Sequence, residues 1–149
     1  MSTTEKLNGY GPLAGVKVVE LCEWVAAPAC VRCLSEMGAT VIKVEPPYGD
    51  AQRTQGPGFG CEQTDMEDPT IDLNNTNKNF VSINLKNEEG MKFMKKLLAD
   101  ADIFVNNLRD KALNKMGLDY ETLHKEFPTL IWAQMRGYGE YGPEKDSPG

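Results

Sequence analysis

The apolar residues of this chain fall into two alternating rhythms. Residues 15–21, GVKVVEL, form a β-branched run entered through Gly15, which predicts a first, buried strand. The segment CEWVAAPACVRCLSEMG then sets Val31, Leu34 and Met37 at helical spacing. Pro28 suits the first turn of such a helix, and Gly38 suits its C-terminal stop. TVIKVE (40–45) predicts a second strand, ended at PPYGD because Pro46 and Pro47 have no N–H for a ladder. FVSINL (80–85), DIFVNN (102–107) and TLIWAQMRGYG (129–139) predict three more. Between the third and fourth, NEEGMKFMKKLLADA carries a stripe of Met91, Met94, Leu97 and Leu98 behind an acidic first turn at Glu88 and Glu89. Two short helices precede the fifth strand: KALNKMG, stopped by Gly117, and DYETLHKEF, begun by Asp119 and ended before Pro128. Residues 51–75 are rich in glycine and acids without a period and read as one long loop, the kind that carries function in a compact domain. Helices alternating with apolar strands predict an α/β fold with a doubly wound, mainly parallel sheet.

Composition narrows the class. At 149 residues, with 40% apolar and 26% charged side chains, the chain has the make-up of one ordinary globular domain. A net charge of −6 argues against a non-specific grip on nucleic acid or an anionic membrane. No apolar run approaches the roughly 20 residues of a membrane span. The opening MSTTEKLNGYGPLAG has no apolar signal core, so a cytoplasmic protein is expected. Cys22, Cys30, Cys33 and Cys61 are too few and too uneven for a secreted disulfide framework and are expected as reduced thiols.

The candidate chemistry starts at Glu45. An acid ending the second strand of a βαβ unit is where a dinucleotide fold holds a ribose, but the turn after the first strand, CEWVAAPAC, lacks G-x-G-x-x-G. Glu45 therefore reads as an acid that ends a strand and enters a loop. Ala26 and Ala27 are small enough for a ligand to pass near the helix start. Cys30-Val31-Arg32-Cys33 stands where redox motifs occur, yet inside an amphipathic pattern, and reads as a pair of small buried thiols. His124 and the cysteines show no ligand spacing, so no metal is expected. The basic residues are more telling. Lys78 and Lys86 bracket the third strand, and Arg109, Lys111 and Lys115 follow the fourth. Strand ends and helix starts of an open α/β sheet share one crevice, so this grouping points to a phosphate-bearing ligand.

Several spaced blocks, PLAGVKVVEL, AAPAC, LSEMGATVIKVEPPYGD with Arg53, NTNKNFVSINLK, ADIFVNNLR, MGLDYETL and FPTLIWAQMRGYGEYGP, resemble the class III CoA-transferases, the CaiB/BaiF family. The resemblance runs from Pro12 to Gly149. KALNKMGLDYETL and AQMRGYGEYGPEKD look most like the branch acting on 2-hydroxyacyl-CoA and aryl-lactate substrates in amino-acid fermentation. It implies a Rossmann-like large domain, of which residues 1–149 are the N-terminal, CoA-binding part, with a small domain and the catalytic aspartate beyond Gly149. It also implies interlocked homodimeric subunits, and coenzyme A or acyl-CoA bound as substrate with no metal. The family's CoA contacts fall on Val25, Ala26, Ile83 to Lys86, Asn107, Leu108, Arg109 and Lys115. Many relatives carry arginine where Lys115 stands, and some carry arginine at Pro46, so a point charge replaces a bidentate fork in this chain.

The implied reaction moves CoA between an acyl-CoA and a free carboxylic acid through an enzyme-carboxylate thioester. Its nucleophile must lie beside the thioester in a site that excludes water. Asp50, Glu140 and Asp146 are the acids near the expected crevice; all three read as solvated, and none matches the family's aspartate, so no catalytic residue is expected within the chain. A 2-methylacyl-CoA racemase of the same family and a non-catalytic CoA-binding fragment are the alternatives.

Overall fold

The structure, a computed structural model, describes residues 10–64, 67–145 and 147. Five strands, β1 (Lys17–Leu21), β2 (Thr40–Glu45), β3 (Asn79–Ser82), β4 (Ile103–Asn106) and β5 (Ile131–Gln134), form one sheet in the order β3-β2-β1-β4-β5. Every pairing is parallel. The chain winds outward from β1 to β3 on one side and from β4 to β5 on the other, which is the doubly wound arrangement the strand–helix alternation predicts.

Helices cover both faces, so the central strands are apolar on both sides. One face carries α1 (Ala26–Glu36), whose Ala27 and Val31 pack with Val18, Val41 and Val105, and α2 (Pro69–Asn75), which lies against α1. The other carries α3 (Glu88–Ala99), α4 (Asp110–Met116) and α5 (Tyr120–Glu126), which bury Met94, Leu98, Leu113 and Leu123 against Val19, Leu21, Val44 and Phe104. Burying one such side chain contributes about 1.5–3 kcal/mol. Asp119 and Gly117 bound their helices as expected, and Asn87 is a further cap. Asn87 and Asp119 accept from the N–H groups of Gly90 and Thr122, and Gly117 ends α4 with φ 66°.

Two expectations fail. Residues 51–75 are not one loop: they form two 3-10 turns, Ala51–Thr54 and Gly56–Phe59, and then α2. Asp68 caps α2 by accepting from the Ile71 N–H, and Pro69 occupies its first turn, where a missing N–H costs nothing. Cys30 and Cys33 are exposed rather than buried, because the buried face of α1 is set by Ala27, Val31 and Ser35. All four cysteines are free thiols. Changing Cys30 and Cys33 together to serine is therefore expected to move the unfolding free energy by no more than about 0.5 kcal/mol. A loss of several kcal/mol in urea titration would show that these thiols pack after all.

Two charged residues interrupt the apolar strands on the α1 face. Glu20 and Lys43 stand directly opposite each other in the β1–β2 register, and both are fully buried. The Lys43 ammonium contacts Glu20 Oε1 at 3.3 Å and donates to Asp50 Oδ2 and the Cys22 carbonyl, each at 2.9 Å. Lys78 donates to the Pro28 carbonyl at 2.8 Å and Asn75 Oδ1 at 2.9 Å, and meets Glu20 Oε2 at 2.8 Å as a charge contact rather than a directed hydrogen bond. Two cations thus balance two carboxylates inside the protein, as burial of charge requires. Burial pushes the Glu20 carboxyl upward against the pull of Lys43 and Lys78. Burial also pulls Lys43 downward, but Glu20 and the bond to Asp50 outweigh it and hold Lys43 above its usual value. Lys78, pulled down by burial against the charge of Glu20, ends below its usual value.

Candidate functional site

A cavity of about 310 Å³ opens at the C-terminal ends of β1, β2 and β3, beside the point where the winding direction reverses between β1 and β4. That edge is where open α/β sheets place ligands. Its apolar floor is Leu21, Val44, Ile83 and Leu108, with Met116 from the last turn of α4. Pro47 and Tyr48 form one wall, and Lys86 and Glu23 bring opposite charges into it. A second cavity, of about 440 Å³, lies on the other side along β5, between Cys30, Met135, Arg136 and Glu140. It holds none of the residues expected to contact a ligand, so the first cavity is the candidate site.

Of those residues, Ile83 to Lys86 and Leu108 line the cavity. Val25 and Ala26 stand exposed at the start of α1, two and three residues after Glu23. Arg109, at the N-cap of α4, and Lys115, within it, are exposed, each next in sequence to a lining residue, Leu108 or Met116. Asn107 acts on the backbone: its Oδ1 accepts from the Glu23 N–H at 3.0 Å and its Nδ2 donates to the Glu23 carbonyl at 2.7 Å.

The turn from β1 into α1 is held from below as well. Asp50 Oδ1 accepts from the Trp24 N–H at 3.1 Å, and Lys43 donates to the Cys22 carbonyl. Trp24 has φ 67°, a left-handed conformation that a bulky side chain adopts only when its surroundings impose it. Side chains from three separate segments therefore fix the backbone of residues 22–24. Their effect is to carry Glu23 into the cavity.

Two sequence-based assignments change here, and a third gains a partner. Lys78 is not a crevice cation: it enters β3 at the N-terminal end, opposite to Lys86, and its ammonium is sealed beneath α1. Asp50 is not solvated. It is 1% exposed, and its carboxylate is taken up by Lys43 and the Trp24 and Gln52 N–H groups. Glu45 ends β2 as expected, but Arg53 grips both its oxygens, Nε to Oε2 at 2.8 Å and Nη2 to Oε1 at 2.9 Å. The Arg53 guanidinium also lies 5.4 Å above the Phe80 ring. Gly49, with φ 82°, makes room for this, since a Cβ there would sit 2.7 Å from Arg53 Cδ. Glu140 is exposed, and Asp146 lies outside the described residues.

Sequence reasoning missed Glu23, Tyr48 and Met116. A usable signal existed for Glu23: it stands two residues past the end of a central parallel strand, where ligand-facing side chains collect. Burial pushes its carboxyl above the usual range; the charge of Asp50 adds to this, Lys43 opposes it, and Glu45 adds a little more. Among the described residues, no group of three or more His, Cys, Asp or Glu side chains could hold a metal ion, and no helix is long and apolar enough to cross a membrane.

Comparison with known proteins places this geometry in context. The profile of CoA-transferase family III matches residues 13–149. The chain is 50% identical over 137 residues to (R)-2-hydroxy-4-methylpentanoate CoA-transferase of Clostridioides difficile, covering 92% of this chain and 34% of that protein. It is 49% identical over 142 residues to cinnamoyl-CoA:phenyllactate CoA-transferase of Clostridium sporogenes, covering 95% and 34%. A crystal structure of a CaiB/BaiF family protein from Brucella suis superposes with a TM-score of 0.86 at 37% identity, covering 95% of this chain and 37% of that one. The chain thus spans about a third of the length of the curated relatives it matches.

Proposed function

Because the chain belongs to CoA-transferase family III, we propose that it is the CoA-binding part of an acyl-CoA:carboxylate CoA-transferase acting on a 2-hydroxyacyl or enoyl thioester. The observation that carries this reading is the cavity at the sheet's switch point, apolar below and edged by Lys86, with the exposed Arg109 and Lys115 beside its lining residues. An apolar floor with a few cations at the rim suits a ligand that is part nucleobase and part phosphate. Val25 and Ala26, at the open start of α1, complete the proposed contact set. The names of the relatives supply the acyl class, since those proteins act on 2-hydroxy-4-methylpentanoate and on phenyllactate.

In the proposed reaction, a carboxylate attacks the thioester carbonyl and expels CoA thiolate, leaving a mixed anhydride. The thiolate then attacks the enzyme's half of that anhydride, which releases the free acid and leaves CoA bound as an enzyme thioester. An acceptor carboxylate reverses both steps. The nucleophile is not Asp50, whose oxygens are buried and committed. In this reading the catalytic aspartate and a small domain lie beyond Gly149, and the complete enzyme is a cytoplasmic homodimer with interlocked subunits.

Calorimetric titration with CoA tests the site. Changing Lys86 and Arg109 together to alanine is expected to weaken binding about 10- to 100-fold, the value of losing charged contacts to phosphate. Equal affinity in the double variant would remove both residues from the site.

A further inference from the structure

The acid that occupies the crevice is Glu23, not the strand-ending Glu45. Among the described residues no group hydrogen-bonds or ion-pairs with the Glu23 carboxylate, although its backbone N–H and carbonyl are both held by Asn107. Around it, Asp50 holds Trp24 and Lys43 holds Cys22. So many fixed contacts on the backbone of residues 22–24 set the point from which the Glu23 side chain enters the cavity, and its oxygens are left for something else. Glu45, by contrast, is spent on Arg53.

The cavity has a polarity. Glu23 follows β1 and Lys86 follows β3, with β2 between them. Two strand spacings separate the segments that carry them, about 10 Å. A ligand that sets an anionic group on Lys86 therefore presents a different part of itself to Glu23. That part cannot be a second phosphate, which the carboxylate would repel.

We infer that Glu23 accepts a hydrogen bond from an uncharged N–H or O–H donor of the bound CoA ligand and so fixes its orientation in the cavity. The inference rests on the reading that this cavity takes CoA. The donor is supplied either by the adenosine portion, through its amino group or ribose hydroxyl, or by the hydroxyl and amides of the pantetheine arm.

The test is titration of the full chain with CoA, for the parent protein and for Glu23→Gln and Glu23→Ala, with thermal unfolding alongside. Neither change removes an intramolecular contact of the carboxylate, and its charge is disfavoured by burial, so neither variant is expected to melt below the parent. Glu23→Gln keeps the shape but weakens the acceptor, and is expected to bind CoA about tenfold more weakly, with Glu23→Ala weaker still. Titration with adenosine 3′,5′-bisphosphate and with 4′-phosphopantetheine separates the two sources, because only the fragment carrying the donor loses affinity in the variants. Unchanged CoA affinity overturns the assignment. Tighter binding overturns it too, since it would show that Glu23 only repels phosphate. A parent protein that does not bind CoA fails the site reading itself, a result distinct from binding that ignores Glu23.

Discussion

Lys43→Ala is expected to destabilise the protein by about 3–5 kcal/mol, the cost of breaking a buried ion pair by removing one partner. For a chain of this size that corresponds to a fall in melting temperature of roughly 10 °C. The reason is geometric. Lys43 spends its three N–H donors on Glu20, Asp50 and the Cys22 carbonyl, all without access to water. Removal leaves Glu20 with Lys78 alone and Asp50 with no cation.

The pH dependence of that loss distinguishes a charge effect from a packing effect. Glu20 already has its carboxyl raised by burial, with Lys43 the foremost opposing influence. Without Lys43 it rises further. A carboxyl raised in the native state binds its proton more readily there than in the unfolded chain. Its stability contribution is therefore fully present below the unfolded value of about 4.3, and is lost as pH rises through the native value. The cost of Lys43→Ala should accordingly grow from pH 5 toward neutrality. Urea unfolding of parent and variant at several pH values measures this. A difference that stays flat between pH 5 and 7.5 would reduce the effect to a cavity.

These buried charges also show where the sequence can be read and where it cannot. The strands are legible because a doubly covered parallel sheet asks for continuous β-branched runs, and VKVVEL, TVIKVE and DIFVNN provide them. Glu20 and Lys43 are visible as polar breaks in such runs, which is a sign of a buried partner. That each is the other's partner follows from register, and register is decided by how β1 and β2 align. The exposure of Cys30 and Cys33 was available in the helix phase, since Ala27 and Val31 fix the buried side of α1. The helix α2 was harder: seven residues give too short a period to see, and only the Asp68-Pro69 pair announces its start. At the site, Lys86 was found because a cation beside a strand end is conspicuous. Lys78 misled because it also stands beside a strand, yet it precedes β3, and in a parallel sheet the crevice lies at the C-terminal strand ends, so chain order already spoke against it. Glu23 went unnoticed because nothing about an acid in CEWVAAP marks it as unpaired; that emerges only when Arg53 is seen to hold Glu45 and Asn107 to hold the turn.

Asp50 should respond as the counterpart of Lys43. Asp50→Asn keeps an oxygen for the Trp24 and Gln52 N–H groups but removes the charge beside Lys43, at an expected cost of about 3 kcal/mol. The sign of its pH dependence is different. Lys43 is pulled down by burial and held above its usual value by Glu20 and Asp50. The stability this supplies is fully present below the unfolded lysine value of about 10.4, and is lost as pH rises through the native value. Losing Asp50 therefore matters at neutral pH and matters less above about pH 10. Lys43→Ala grows worse from acid to neutral pH, while Asp50→Asn stays constant there and recovers only in alkali. The two changes should also fail to add. Once Lys43 is gone, Asp50 is a buried carboxylate without its cation, so Asp50→Asn in that background should cost little or restore stability. Asp50→Ala goes further, because it also releases the Trp24 N–H and with it the left-handed turn that carries Glu23. CoA affinity is then expected to fall in Asp50→Ala and to be nearly retained in Asp50→Asn. If both substitutions left ligand affinity untouched while lowering stability, the buried charges would support the fold alone, and the turn would owe its position to Asn107.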